Sequence, residues 1–345
     1  MKTLAAVLVQ QNAPLEIHEL IIPPLKPGQV LVQIAYSGVC QTQLNEIRGH
    51  KGLDPYLPHT MRHEASGTIL DVGANVKKVK KGDRVVVSWL KGMGADVPNT
   101  IYESSDGRKI QSGAVSTFME KAVVSENRVI PIPEAMPLKE AALLGCAIPT
   151  GAGVIFNEMQ IKAGNSIAIF GIGGVGLSAI LAARYLGAAP LIAIDVVAEK
   201  LEKAKALGAT HAIDASAEDV VKAIQQITEN QGVDFSLESA GRKDTMELAF
   251  HSLKASKSLC VIAGNAPKGQ LIQIDPFDLI RGRRIIGTWG GASSIDRDIP
   301  HYVSLFQNKS LPLAELISHQ VELSKINELM KLLELGKISR GIITF

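Results

Sequence analysis

Two of the three cysteines in this chain, Cys40 and Cys146, together with His63-Glu64 between them, form the donor set best suited to chemistry. Cysteine sulfur and histidine nitrogen are the ligands that hold zinc. A catalytic zinc uses three protein ligands and keeps a position open for water or substrate, whereas a structural zinc closes all four. Cys40, His63 and Cys146 would supply such a three-ligand set. They lie so far apart in sequence that only the fold could bring them together. Taken singly, each cysteine could be a buried hydrophobe and His63 a structural residue. The elements that carry them must decide.

A chain of 345 residues exceeds the usual single core, and a 46% hydrophobic composition can fill two. Lys and Arg number 36 against 34 Asp and Glu, a balance that argues against a polyanionic partner such as nucleic acid. The basic run Lys77-Lys78-Val79-Lys80-Lys81 reads as a solvated turn before the strand Val85-Val86-Val87. Three cysteines cannot all pair, and nothing resembles a secreted disulfide framework, so a reducing cytoplasm is expected. Cys260, in Leu259-Cys260-Val261-Ile262, reads as a core thiol. Met1 to Gln10 is too short for a signal peptide and lacks a cleavage pattern. Residues 165 to 183 carry no charge, but glycines interrupt them, and no membrane segment is expected.

Short β-branched runs punctuated by Gly, Pro or Asp fill the first part: Val30 to Ala35, Ser66 to Val72, Val85 to Val87 and Ala122 to Val124. They favour an antiparallel or barrel-like domain. After about Pro149, strands (166–170, 191–195, 234–238, 259–263) alternate with helices (177–186, 199–207), the rhythm of βαβ units in a doubly wound parallel sheet. The tail reads as a helix from about Lys325 to Leu335, stopped by Gly336, and a strand from Gly341 to Phe345.

Gly171-Ile172-Gly173-Gly174-Val175-Gly176 has the Gly-x-Gly-x-x-Gly spacing between a strand and a helix. The first glycine permits a tight turn, the second lets backbone approach a pyrophosphate, and the third allows close helix packing, with the helix N-terminus stabilising the phosphates. Asp195 ends the next strand, nineteen residues beyond Gly176. A carboxylate there accepts from a ribose diol and repels a 2′-phosphate, which favours NAD over NADP. The bland alternative is a glycine turn that serves packing alone.

Several motifs resemble the medium-chain zinc-dependent alcohol dehydrogenases over nearly the whole chain: Gly38-Val-Cys40-Gln-Thr42, His63-Glu64-Ala-Ser-Gly67, Lys81-Gly-Asp-Arg-Val85, Leu144-Gly-Cys146-Ala-Ile-Pro-Thr150-Gly151 and the terminal stretch around Arg340. The resemblance implies an α/β protein with a GroES-like β-rich catalytic domain (1–148), a Rossmann cofactor domain (149–288) and a return segment (289–345). It implies one catalytic zinc per subunit on Cys40, His63 and Cys146, with Glu64 as an occasional or outer ligand. Thr42 would receive the alcohol proton. Thr150 would lie near the nicotinamide, Lys200 and Arg340 would contact the cofactor's ribose and phosphates, and Trp89 would line the pocket. A metal of this kind lowers the pKa of bound water from ~15.7 to roughly 7 and acidifies an alcohol likewise. A small alcohol or aldehyde substrate is implied, with a homodimer through the cofactor domain or a tetramer.

Departures from the family pattern are equally specific. Residues 88 to 113 lack the four cysteines of a structural zinc and read as a loop, so no structural zinc is expected. Gln43 stands where the family usually has aspartate, Arg62 replaces a glycine before His63, and Asn45 replaces a relay histidine, leaving His50 or solvent to finish proton release. Three other readings stay open: a polyol dehydrogenase, although these usually have glutamate at the position of Cys146; a zinc-free quinone or enoyl reductase; and a nucleotide-binding protein without catalysis.

Overall fold

Alternating and β-branched runs fold the first part of the chain into strands β1 (Lys2–Leu8), β2 (Glu16–Ile21), β3 (Gln29–Val39), β4 (His59–Thr60), β5 (Glu64–Val72), β6 (Arg84–Val87), β7 (Ile101–Ser104), β8 (Lys109–Gln111), β9 (Lys121–Ser125) and β10 (Val129–Pro131). Short helices α1 (Gln41–Ile47) and α2 (Leu138–Ala141) interrupt them. The structure, a computed structural model, describes residues 1–61, 64–97 and 99–345. β1, β2, β7, β8 and β4 close into a barrel, and β10, β6, β5 and β3 belong to an adjoining sheet in which β9 also pairs with β3. Val30, Val32, Ile34, Ile69, Val85 and Val87 point into one core.

The expected loop over residues 88–113 is corrected by the structure. Its second half is a hairpin: Tyr102 and Ile110 turn inward while Ile101, Glu103 and Lys109 face out, and Gly107 supplies the left-handed turn at φ +82°. Among its described residues the first half has no strand, and Glu126 fastens it. That buried carboxylate accepts from the amides of Lys77 at 2.5 Å, Lys78 at 2.7 Å and Ala95 at 2.9 Å. The basic run is therefore only in part a solvated turn, because Lys78 also pairs with Asp296 at 2.5 Å.

The second unit spans Ala147–Ser293 with Ser310–Pro312. After α3 (Ala147–Gly153) come β11 (Ile167–Phe170), α4 (Gly174–Tyr185), β12 (Leu191–Asp195), α5 (Ala198–Ala206), β13 (His211–Asp214), α6 (Val220–Ile227), β14 (Phe235–Glu238), α7 (Lys243–His251), β15 (Ser258–Ile262), α8 (Pro276–Ile280) and β16 (Arg283–Gly287). All six strands are parallel, in the order β13-β12-β11-β14-β15-β16. The uncharged run 165–183 is thus a buried strand, a glycine turn and a buried helix. α4 begins at Gly174, three residues before the start read from the sequence, because the glycine turn itself enters the helix. Cys260 is fully buried among Phe170, Ile192 and Phe250, and burial pushes its thiol up to about 12.

The chain then returns to the first unit, which comprises Met1–Cys146, Ser294–Lys309 and Leu313–Phe345. The returning elements are α9 (Ile295–Gln307), β17 (His319–Glu322), α10 (Ile326–Glu334) and β18 (Gly341–Thr344). Gly336, at φ +69°, stops α10 as expected. β18 lies antiparallel to β3, placing Ile342 opposite Gly38. Among the described residues no single helix is long and apolar enough to cross a membrane.

Candidate active site

Cys40 sits where β3 ends and α1 begins, as the N-cap of that helix. Its Sγ accepts from the Thr42 amide at 3.4 Å, and the Gln43 side chain reaches back so that Oε1 accepts from the Cys40 amide at 2.7 Å. This reciprocal cap satisfies amides that the helix leaves open and holds the Cys40 backbone from both sides. Gln43 is buried and gives that oxygen to the Cys40 backbone. Asn45, one turn on, accepts from Gln41 at 3.3 Å and lies 3.4 Å from Nδ1 of the exposed His50.

Glu64 opens β5 with no exposed surface, in an ion pair with Arg340 from the returning chain. Arg340 Nη1 also donates to the Val39 carbonyl at 3.0 Å, and the guanidinium bonds the Cys40 side chain. Burial pulls the Arg340 pKa down, and the neighbouring Cys40 opposes that shift. Two glycines make the packing possible. A Cβ on Gly38 would strike Glu64 and stand 2.9 Å from Arg340 Nη2, and one on Gly145 would stand 2.5 Å from Glu64 Cβ. Ser88 Oγ donates to the Gly145 carbonyl at 2.7 Å, securing the residue before buried Cys146.

The chain segments carrying Cys40 and Cys146 therefore converge on Glu64. His63 and Arg62, to which sequence analysis gave a ligand and a cationic neighbour, lie outside the described residues, as does Pro98 in the segment after β6. Arg340, to which the resemblance gives a cofactor contact, here packs against the Glu64 carboxylate. It is only 3% exposed, and its guanidinium serves Glu64, Val39 and Cys40. Trp89 follows β6 half-buried, its carbonyl accepting from Arg128. The donor set suits zinc, and Cys40, unlike the fully buried Cys260, is half-buried with its Sγ accepting from the Thr42 amide.

In the second unit, Gly171 adopts φ +87°, and a Cβ there would stand 2.7 Å from the Ala240 amide. Gly173 caps α4, and a Cβ built on it would meet nothing within 4 Å. No side chain caps this helix, whose first turn holds Gly174, Val175 and Gly176, so its N-terminus fits a phosphate. Asp195 Oδ2 accepts from the Ile172 amide at 2.7 Å, and Oδ1 from Val196 at 2.8 Å and Val197 at 3.1 Å. The carboxylate is thereby aimed along the glycine loop. Thr150 is buried in α3 and Lys200 half-buried in α5.

Sequence reasoning missed the Glu64–Arg340 pair, the Gln43 cap and the loop Ser239-Ala240-Gly241 that faces Gly171. For that loop one signal existed, a glycine just past a strand, here at φ +76°.

Residues 26–134 match the family described as alcohol dehydrogenase GroES-like domain, and residues 174–308 that described as zinc-binding dehydrogenase. Alcohol dehydrogenase 6 of Peromyscus maniculatus is 33% identical, over 98% of this chain and 96% of that protein. Among solved structures, an alcohol dehydrogenase zinc-binding domain protein from Burkholderia ambifaria is 32% identical, with a TM-score of 0.92 over 100% of this chain and 99% of that one. Benzyl alcohol dehydrogenase from Acinetobacter calcoaceticus is 30% identical, with a TM-score of 0.90 over the same shares.

Proposed function

Because the chain is an oxidoreductase belonging to the medium-chain zinc-type alcohol dehydrogenase family, we propose that it reversibly oxidises primary or secondary alcohols to aldehydes or ketones, with NAD as hydride acceptor. Cys40, His63 and Cys146 would hold about one zinc per subunit, with Glu64 behind them. Bound there, zinc would supply Lewis acidity that makes the alcohol hydroxyl easier to deprotonate. The observation that carries this reading is Glu64, fixed by Arg340 and flanked so tightly by Gly38 and Gly145 that the two cysteine-bearing segments approach the residue next to His63.

The remaining roles belong to this chain's own groups. The Thr42 hydroxyl receives the alcohol proton. Arg340 balances the buried charge of Glu64 and, through Val39 and Cys40, holds the thiolate's position. Gly171 to Gly176 with Asp195 bind the dinucleotide, the Asp195 carboxylate favouring a free ribose diol over a 2′-phosphate. Thr150 and Lys200 complete the cofactor contacts. Three free cysteines fit a reducing cytoplasm. The free edge of β16, beside exposed Phe277, Leu279 and Ile280, supports a homodimer through this sheet.

A panel of primary and secondary alcohols with NAD, read as NADH absorbance, tests the reading. Turnover of at least one alcohol with NAD ahead of NADP is expected. Failure of every alcohol to reduce either dinucleotide, or a clear NADP preference, would count against it.

A further inference from the structure

Strands β11 and β14 are neighbours in the sheet although two strands and three helices separate them in chain order, so the sheet reverses its winding between them. Ligands of open α/β sheets lie outside the carboxyl ends of the strands at such a switch. The loop after β11 is the glycine loop. The loop after β14, Ser239–Arg242, touches it directly: the Ser239 amide donates to the Phe170 carbonyl at 2.8 Å, Ser239 Oγ donates to the Gly171 carbonyl at 2.8 Å, and Ala240 is the residue that a Cβ on Gly171 would meet.

One buried carboxyl shapes this second loop. Glu238, the last residue of β14, has no exposed surface. Its Oε1 accepts from the Ala240 amide at 3.0 Å, the Gly241 amide at 2.7 Å and the Thr245 hydroxyl at 2.7 Å, drawing the loop back over the strand end and tying it to α7. Its Oε2 has no hydrogen-bond partner and packs on the backbone of Gly264, where a Cβ would come within 2.5 Å of it. Burial pushes this carboxyl up, against the opposing pull of Thr245 and the loop amides. The work of holding the loop therefore falls on Oε1 alone, the one oxygen that accepts from Ala240, Gly241 and Thr245.

We propose that Glu238 is a positioning residue for dinucleotide binding: its Oε1 sets the conformation of residues 239–242, which form the second wall of the crevice opposite Gly171–Gly176. This rests on the dinucleotide reading given above. All three donors meet one acceptor oxygen, so the oxygen of a carboxamide can take its place.

The test is NADH affinity by fluorescence titration on the wild type, Glu238→Ala and Glu238→Gln, with melting temperature followed in parallel. Glu238→Ala should weaken NADH binding about tenfold, from the loss of an acceptor serving three donors, and raise KM for NAD while leaving KM for the alcohol unchanged. Glu238→Gln should restore affinity to within about twofold. Folded Glu238→Ala with wild-type NADH affinity, or a Gln variant as weak as Ala, would overturn the proposal. Should Glu238→Ala fail to fold, Thr245→Val removes one donor to the same oxygen and should weaken NADH several-fold; unchanged affinity there also overturns it. Wild-type protein that binds no NADH or NADPH would instead overturn the dinucleotide reading itself.

Discussion

In the second unit the glycine loop is one uninterrupted stretch, Gly171 to Gly176, set by the strand before it and the helix after it, and held by a single carboxylate at Asp195. In the first unit, Cys40, Glu64 and Arg340 arrive from separate stretches of chain and meet because β3, β5 and β18 lie side by side, while Gly38 and Gly145 leave room for Glu64 between them. A site built from local backbone survives most distant changes. A site assembled across strands depends on each long-range partner, and its buried charges make that dependence steep. Substitutions should therefore separate the two units cleanly, with first-unit changes destroying chemistry or stability and second-unit changes grading dinucleotide affinity.

The largest effect is expected from Cys40→Ser. Loss of a ligand to a Lewis acid worth several kcal/mol should lower kcat by about a thousandfold or more while NADH still binds with wild-type affinity. Wild-type turnover in this variant would break the comparison at its strongest point. Next, Arg340→Ala should cost about 3–5 kcal/mol in denaturant unfolding, because it leaves Glu64 buried without its cation. A loss below about 1 kcal/mol would place this pair among the exposed, weak ones.

A smaller effect is expected at Asp195. Replacement by glycine should weaken NAD about tenfold and narrow or reverse the preference over NADP, measured as kcat/KM for both dinucleotides. The smallest concerns pH. Burial raises the folded-state pKa of Glu238 above its unfolded value, so the folded protein holds that proton more tightly, and the resulting stability is full at low pH and fades as pH rises through the raised value. Glu238→Gln cannot lose a proton. Its melting temperature relative to wild type should therefore improve as pH rises above the ordinary carboxylate range; a difference that stays flat with pH would show that Glu238 titrates as an ordinary carboxylate.

The same contrast explains what could be read from the sequence. The glycine loop, Asp195 and the stop at Gly336 were legible because each obeys a local rule of spacing or backbone conformation. The hairpin Ile101 to Gln111 was less legible, since its alternation is only a few residues long and glycines and a proline surround it. The Glu64–Arg340 pair was not legible, because β18 pairing with β3 brings Arg340 in across about 300 residues of chain, a contact that no local pattern encodes. Gln43 looked like a loss at the metal. Its Oε1 instead caps the Cys40 amide, a role visible only once Cys40 is known to begin a helix.

The central claim is that the convergence of Cys40, Glu64 and Cys146 builds a catalytic zinc site, and elemental analysis of the purified protein tests it most directly. About one zinc per subunit is expected, falling with Cys40→Ser, and chelator removal should abolish NAD-linked alcohol oxidation while NADH binding persists. Metal-free protein with full dehydrogenase activity would contradict it.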